Sequence, residues 1–154
     1  LPDETVIDGE VIALDADDLA VLSAHLQDAV MTIGDMTFLP KERRFVALCN
    51  RFDWDRAVGG QGKGRTPARK RTGLRIERVV RAQVLDIDLK AKTSVLSLLA
   101  IQFEAQGEPP AGLVTLTFSG GGAVRLEVEC IEAGAGDLGP AWAAKATPRH
   151  DDES

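Results

Sequence analysis

Along residues 113–130 polar and apolar residues alternate. Val114, Leu116 and Phe118 are separated by threonines, and beyond Ser119-Gly120-Gly121-Gly122 the residues Val124, Leu126, Val128 and Cys130 are separated by charges. A period of two gives each run one dry and one wet face, and the glycines between them supply the positive φ that a tight reversal needs. The pair therefore predicts an antiparallel hairpin. Further apolar runs predict strands at residues 11–14, 36–39, 44–52, 74–87 and 95–103, with 113–118 and 124–131 forming the hairpin itself.

One segment departs from this period. Asp15 has a side chain suited to capping a helix, Asp17 and Asp18 place negative charge at the helix start, and Leu19, Leu22, Leu26, Ala29 and Val30 recur at helical spacing. This predicts one amphipathic helix of about 15 residues. Gly34-Asp35 ends it.

Pro40-Lys41-Glu42, the Gly107–Gly112 segment and the glycine turn punctuate the strands. Connections this short favour antiparallel neighbours, because a parallel crossover would need a helix between strands. In residues 95–103, Val95, Leu99, Ile101 and Phe103 share one parity while Leu96, Leu98 and Ala100 share the other, so that strand is expected to be covered on both sides. Residues 74–87 are long for one strand, and Val79-Val80 interrupts the alternation where a bulge would bend it. The expected fold is a single α+β domain, mostly antiparallel β meander, forming a curved sheet or partial barrel with one amphipathic helix. A pleckstrin-homology-like barrel and a helix-grip sheet both match that outline; the second is weakened because Gly139-Pro140 and Pro148 leave no room for a long C-terminal helix. The expected organisation is a flexible segment at 1–10, one domain over 11–142 and a flexible tail at 143–154.

The 154 residues are 44% apolar, enough to bury roughly 70% of the unfolded surface without staples. No apolar stretch reaches membrane-spanning length and the first residues, Leu1-Pro2-Asp3-Glu4, do not form a signal peptide, so a cytoplasmic protein is expected. Cys49 and Cys130 sit in apolar runs and are expected to be free thiols. The net charge of −6 hides an asymmetry. Residues 61–81 carry eight cations against the single acid Glu77, a local charge of +7, which leaves −13 for the rest. An acidic body with one basic stripe can hold an anionic partner through that stripe alone.

Asn50-Arg51-Phe52-Asp53-Trp54, Phe118-Ser119-Gly120-Gly121-Gly122 with 126–132 after it, Asp137-Leu138-Gly139-Pro140-Ala141-Trp142 and the start Leu14-Asp15-Ala16-Asp17-Asp18-Leu19 carry a resemblance. They are similar to an alphaproteobacterial family catalogued as domain of unknown function 2948. The resemblance spans residues 11–142, and it implies no activity, cofactor or catalytic residue.

Catalytic chemistry is thin in the residues themselves. His25 lies on the flank of the helix stripe and His150 in the polar tail, and neither has a partner at metal-ligand spacing, so neither a metal nor another cofactor is expected. Ser119 precedes three glycines, but a nucleophile elbow needs a strand-to-helix turn, and both flanks here are strands. The same objection meets a phosphate cradle at that turn, since phosphate loops open helices. Gly59-Gly60-Gln61-Gly62-Lys63-Gly64 also falls short of a P-loop: Ala57 stands at the first glycine and Gly64 at the magnesium-binding hydroxyl. Glu127 with Glu129, and Asp86 with Asp88, read as solvated faces rather than tuned acid pairs. No catalytic residue is assigned.

Binding chemistry is better represented. Arg69, Lys70, Arg71, Arg75 and Arg78 could hold phosphates, with Lys63 and Arg65 of the long 55–71 loop closing over them, or could simply be solvated and paired with the acidic body. Arg51 and Trp54 beside Phe52 would make a stacking platform if exposed. Burial of Phe52 and Trp54 is expected instead, because they share parity with Val46 and Leu48. The leading expectation is a non-enzymatic binding or adaptor domain with a protein partner or self-association through sheet edges. The alternative is an RNA or phosphate-ligand binder using the stripe, and an enzyme with a polar pocket invisible in sequence ranks last.

Overall fold

A computed structural model describes residues 7–52 and 69–138 of the chain. Its strands are β1 (Ile7–Ala13), β2 (Val30–Thr32), β3 (Met36–Leu39), β4 (Arg44–Phe52), β5 (Arg69–Ile76), β6 (Val79–Leu85), β7 (Val95–Ala105), β8 (Gly112–Phe118), β9 (Ala123–Val128) and β10 (Ala133–Leu138), and α1 (Ala16–His25) follows β1. Neighbours run antiparallel in the order β1-β10-β5-β4-β2-β7-β8-β9-β6, with β3 also on β4. The α+β class is as expected. Consecutive strands pair at β3 with β4, β4 with β5, β7 with β8 and β8 with β9, while β10 inserts between β1 and β5.

The Ala133-Gly134-Ala135-Gly136 stretch lacks the large β-branched residues that mark strands, so β10 is not legible from its pattern. The strand expected at 124–131 stops at Val128, and the chain turns at Glu129–Glu132 before β10. On the opposite side of the same ribbon, β5 gives way to β6 at Glu77-Arg78, where Arg78 takes a left-handed φ of 62°. These corners are bonded together, Glu77 N–H to Glu132 C=O at 2.8 Å and Glu129 N–H to Arg78 C=O at 3.0 Å. The expected long strand at 74–87 is therefore two strands of one kinked ribbon. Its bulge is also present: the register slips between Val79 and Arg81, so that Val79 is buried and the half-buried Ala82 and Val84 continue the inner row. Because β5 and β6 are contiguous in the chain yet stand third and last in the sheet, the sheet must curl back on itself. It curls without closing.

The helix fills that curl, packing on both β7 and β1. Asp15 caps it as expected, accepting from Asp18 N–H at 2.8 Å, while Asp18 accepts from Leu14 N–H. Its length is ten residues, not about 15. Leu26 and Ala29 are fully buried, but they leave the helical path because Asp28 turns left-handed and donates to Leu98 C=O at 2.8 Å, and Leu98 N–H donates to Ala29 C=O at 2.9 Å. Pairing with β7 captures the chain before another turn forms. Leu19, Leu22, Phe45, Leu74, Leu98, Leu116, Phe118 and Leu126 belong to one continuous core.

Two parities differ from expectation. In β7 the register slips between Leu98 and Ala100, so the inner row changes phase from Leu98 to Ile101. Val95 and Leu99 are 66% and 45% exposed, and the strand is not covered on both faces. In β4 the buried row is Phe45, Ala47 and Cys49, whereas Val46 and Leu48 are half-buried on the outer face. The parity argument for burying Phe52 and Trp54 therefore fails. Trp54 itself lies outside the described residues, as does the side chain of Phe52. The glycine hairpin does form, with Phe118 N–H bonded to Gly122 C=O at 2.9 Å and positive φ at Gly120 and Gly121. No helix among the described residues is long and apolar enough to cross a membrane.

Candidate binding surfaces

The basic stripe falls mainly on β5 and its kink, and side-chain alternation divides it between two faces. Arg75 points outward with Val46 and Gly134 as its register neighbours. A Cβ at Gly134 would stand 2.7 Å from Glu10 Oε2 and 3.1 Å from Arg75 Nη2, so the missing side chain is what lets these two meet over β10. They pair at 3.0 Å, and Arg75 also reaches Glu77 at 3.4 Å. Glu77 binds Arg44 Nε through both oxygens, at 3.0 and 3.1 Å.

The kink continues this pattern. Arg43, another left-handed residue, pairs with Glu129 at 2.7 Å, Arg78 with Glu132 at 3.1 Å and Arg81 with Glu127 at 3.2 Å. The Glu132 hydrogen bond and charge raise the pKa of Arg78 further above its already high value. Each exposed pair contributes little alone, about 0.2–1 kcal/mol. Together they pair Arg75, Arg78 and Arg81 of the stripe with glutamates and staple the corners of the ribbon. The carboxylates considered as catalytic pairs are among these partners, Glu127 and Glu129 each holding an arginine. Asp88 instead accepts from Lys90 N–H in the turn after β6.

Arg51 belongs to the opposite face. It follows Cys49 on the inner row of β4 and donates to Asp137 of β10 twice, Nε to Oδ1 at 2.9 Å and Nη2 to Oδ2 at 2.7 Å. Fully buried Thr72 of β5 donates to the same Oδ1 at 2.9 Å. Burial alone would raise the Asp137 pKa, but the hydrogen bonds from Arg51 and Thr72 and the arginine charge outweigh it and hold the carboxyl below its ordinary range. This is a strand-clamping triad across β4, β5 and β10. Neighbouring Cys49 is pushed up to about 12 by burial, so its thiol stays protonated and unreactive. Both cysteines are free.

Of the remaining candidate residues, Lys70 and Arg71 are exposed. Arg69 is placed by its backbone opposite Phe52, and Trp54, Lys63, Arg65, most of the 55–71 loop, His150 and the 143–154 tail lie outside the described residues. The structure thus separates Arg51 from Arg75 and Arg78 rather than gathering the candidates into one patch. Among the described residues no cluster of His, Cys, Asp and Glu could hold a metal ion.

Pairing through a sheet edge is expected from the sequence, and the sheet order shows which strand lies at one. Among the described residues β6 pairs as a strand only with β9, so its other edge ends the sheet, except at Val79, whose N–H donates to Arg43 C=O at 2.9 Å. Arg81 and Gln83 are exposed there, and Val80 is 49% exposed at the bulge. Only the sheet order reveals it, since nothing local distinguishes an edge strand with this composition from an inner one.

A family model described as "Protein of unknown function (DUF2948)" matches residues 10–150. The chain belongs to the DUF2948 family. That DUF2948 match takes in α1, the inner triad and the whole kinked ribbon. No curated protein and no solved structure matches the chain.

Proposed function

We propose that this is a non-enzymatic binding domain that takes a protein partner by strand addition at β6. The observation that supports this reading is the position of β6 at the end of the sheet with exposed side chains along it. An edge strand offers every second backbone amide and carbonyl to an incoming strand, which is the chemistry of β-augmentation. The register slip near Val80 blunts one end of the edge and limits indiscriminate pairing.

The second reading, polyanion binding, is favoured by the exposed Lys70 and Arg71. It is weakened by the part-buried ion pairs of Arg51 and Arg75, which an incoming phosphate would have to break. Anisotropy titration of labelled single-stranded RNA at two salt concentrations separates the two. Lys70→Ser with Arg71→Ser is the variant to use, because it spares the arginines that staple the fold. The expected result is binding weaker than micromolar at physiological salt, the same for both proteins. Tight binding with a log–log salt slope of roughly −0.7 per phosphate contact, lost in the double variant, would replace strand addition with the polyanion reading.

A further inference from the structure

We infer that the strand taken up at β6 is β6 of a second copy of this chain, giving a two-fold dimer with one sheet continuous across the axis. The inference rests on the strand-addition reading and names its partner. Its basis is the polarity of the edge. The N-terminal end of β6 carries Arg78, Val80 and Arg81, and the chain leaving its C-terminal end carries Asp86, Asp88 and Leu89. All six are exposed, with Val80 and Leu89 at 49% and 55% among the exposed large apolar side chains.

An antiparallel pairing about a two-fold axis sets each end of one strand against the opposite end of the other. Arg78 and Arg81 of one copy then approach Asp86 and Asp88 of its partner, and Val80 approaches Leu89, twice over by symmetry. The other terminal strand lacks this complementarity: β1 has Glu10 at its midpoint and no cation, so a β1 to β1 pairing about a two-fold axis would oppose two acids. Pairing β1 with β6 would be head-to-tail, leave a free edge at each step and grow without closing. Arg78 and Arg81 can serve a partner because their bonds to Glu132 and Glu127 are surface pairs, with the two arginine side chains 57% and 73% exposed.

Charge reversal in complementary halves tests this. Arg81→Glu sets an acid against the partner's acidic end, and Asp86→Lys with Asp88→Lys sets cations against the partner's basic end, so each variant alone should sediment as a monomer. Mixed in equal amounts, the two variants should recover the dimer, since every opposed pair is again of opposite sign. That recovery also demonstrates that both variants are folded. If Arg81→Glu fails to fold by circular dichroism, the neutral Arg81→Gln should still shift the wild-type dimer to higher dissociation constants. A wild-type monomer at all accessible concentrations would overturn self-pairing. So would a dimer that neither variant weakens, or an open-ended polymer. A monomer whose β6 amides exchange freely leaves strand addition to another protein standing; a monomer whose β6 amides are protected removes both readings.

Discussion

Leu126→Ala is expected to lose about 3–5 kcal/mol of stability, the upper part of the range for buried leucines. Leu126 is fully buried on β9, with Val114 of β8 and Ala82 of β6 directly beside it in register. Both flanking positions are fixed by strand pairing, so the surrounding side chains have little freedom to collapse into the cavity. Glu127→Ala, one residue on, removes only a surface pair with Arg81 and should cost less than about 1 kcal/mol. Urea melts of the two variants measure the contrast. Equal losses would mean that the inner row of β9 has been misplaced.

Asp137→Ala is the second large effect, expected at about 3 kcal/mol because it leaves the Arg51 guanidinium, 12% exposed, without the carboxylate that accepts two of its bonds. Thr72, fully buried, loses its shorter bond at the same time and keeps only the 3.4 Å one to Lys70 C=O. Replacing the charged pair together, as Arg51→Met with Asp137→Leu, should recover much of the loss, since the desolvation of both ions is then avoided. The pair also predicts a pH dependence. The folded carboxyl titrates below its unfolded value, so its contribution is complete above the ordinary carboxylate range and disappears as pH falls through the lower folded value. Melting temperatures of wild type and Asp137→Asn should therefore converge in acid, below about pH 4. A gap of constant size across that range would contradict the triad.

The sequence disclosed the elements whose signal is local. Asp15 announced the helix cap, the Ser119–Gly122 segment announced the hairpin, and the doublet Val79-Val80 announced the bulge that the register bears out. What it concealed depends on residues distant in the chain. Helix α1 ends early because Leu98, 70 positions beyond Asp28, captures the chain by hydrogen bonding. Strand β10 has a glycine at position 134 because Arg75 and Glu10 meet above it, a requirement set by neighbours on both sides. The stripe could be counted as cations but not assigned, since the glutamates that neutralise Arg75, Arg78 and Arg81 come from β1, the β5 to β6 corner and the β9 to β10 ribbon. Arg51 read as a surface cation for the same reason, its carboxylate lying 86 residues away.

Amide hydrogen exchange in dilute protein, where the monomer prevails, reads the open edge of β6 directly. Within β6 every second amide points away from β9. Those amides, apart from Val79, whose N–H is held by Arg43 C=O, should exchange rapidly in the monomer while their alternates, bonded to β9, are protected, and the fast set should become protected as concentration rises. Uniform protection along β6 in dilute protein would contradict the account, because the edge would then already be covered by the chain itself.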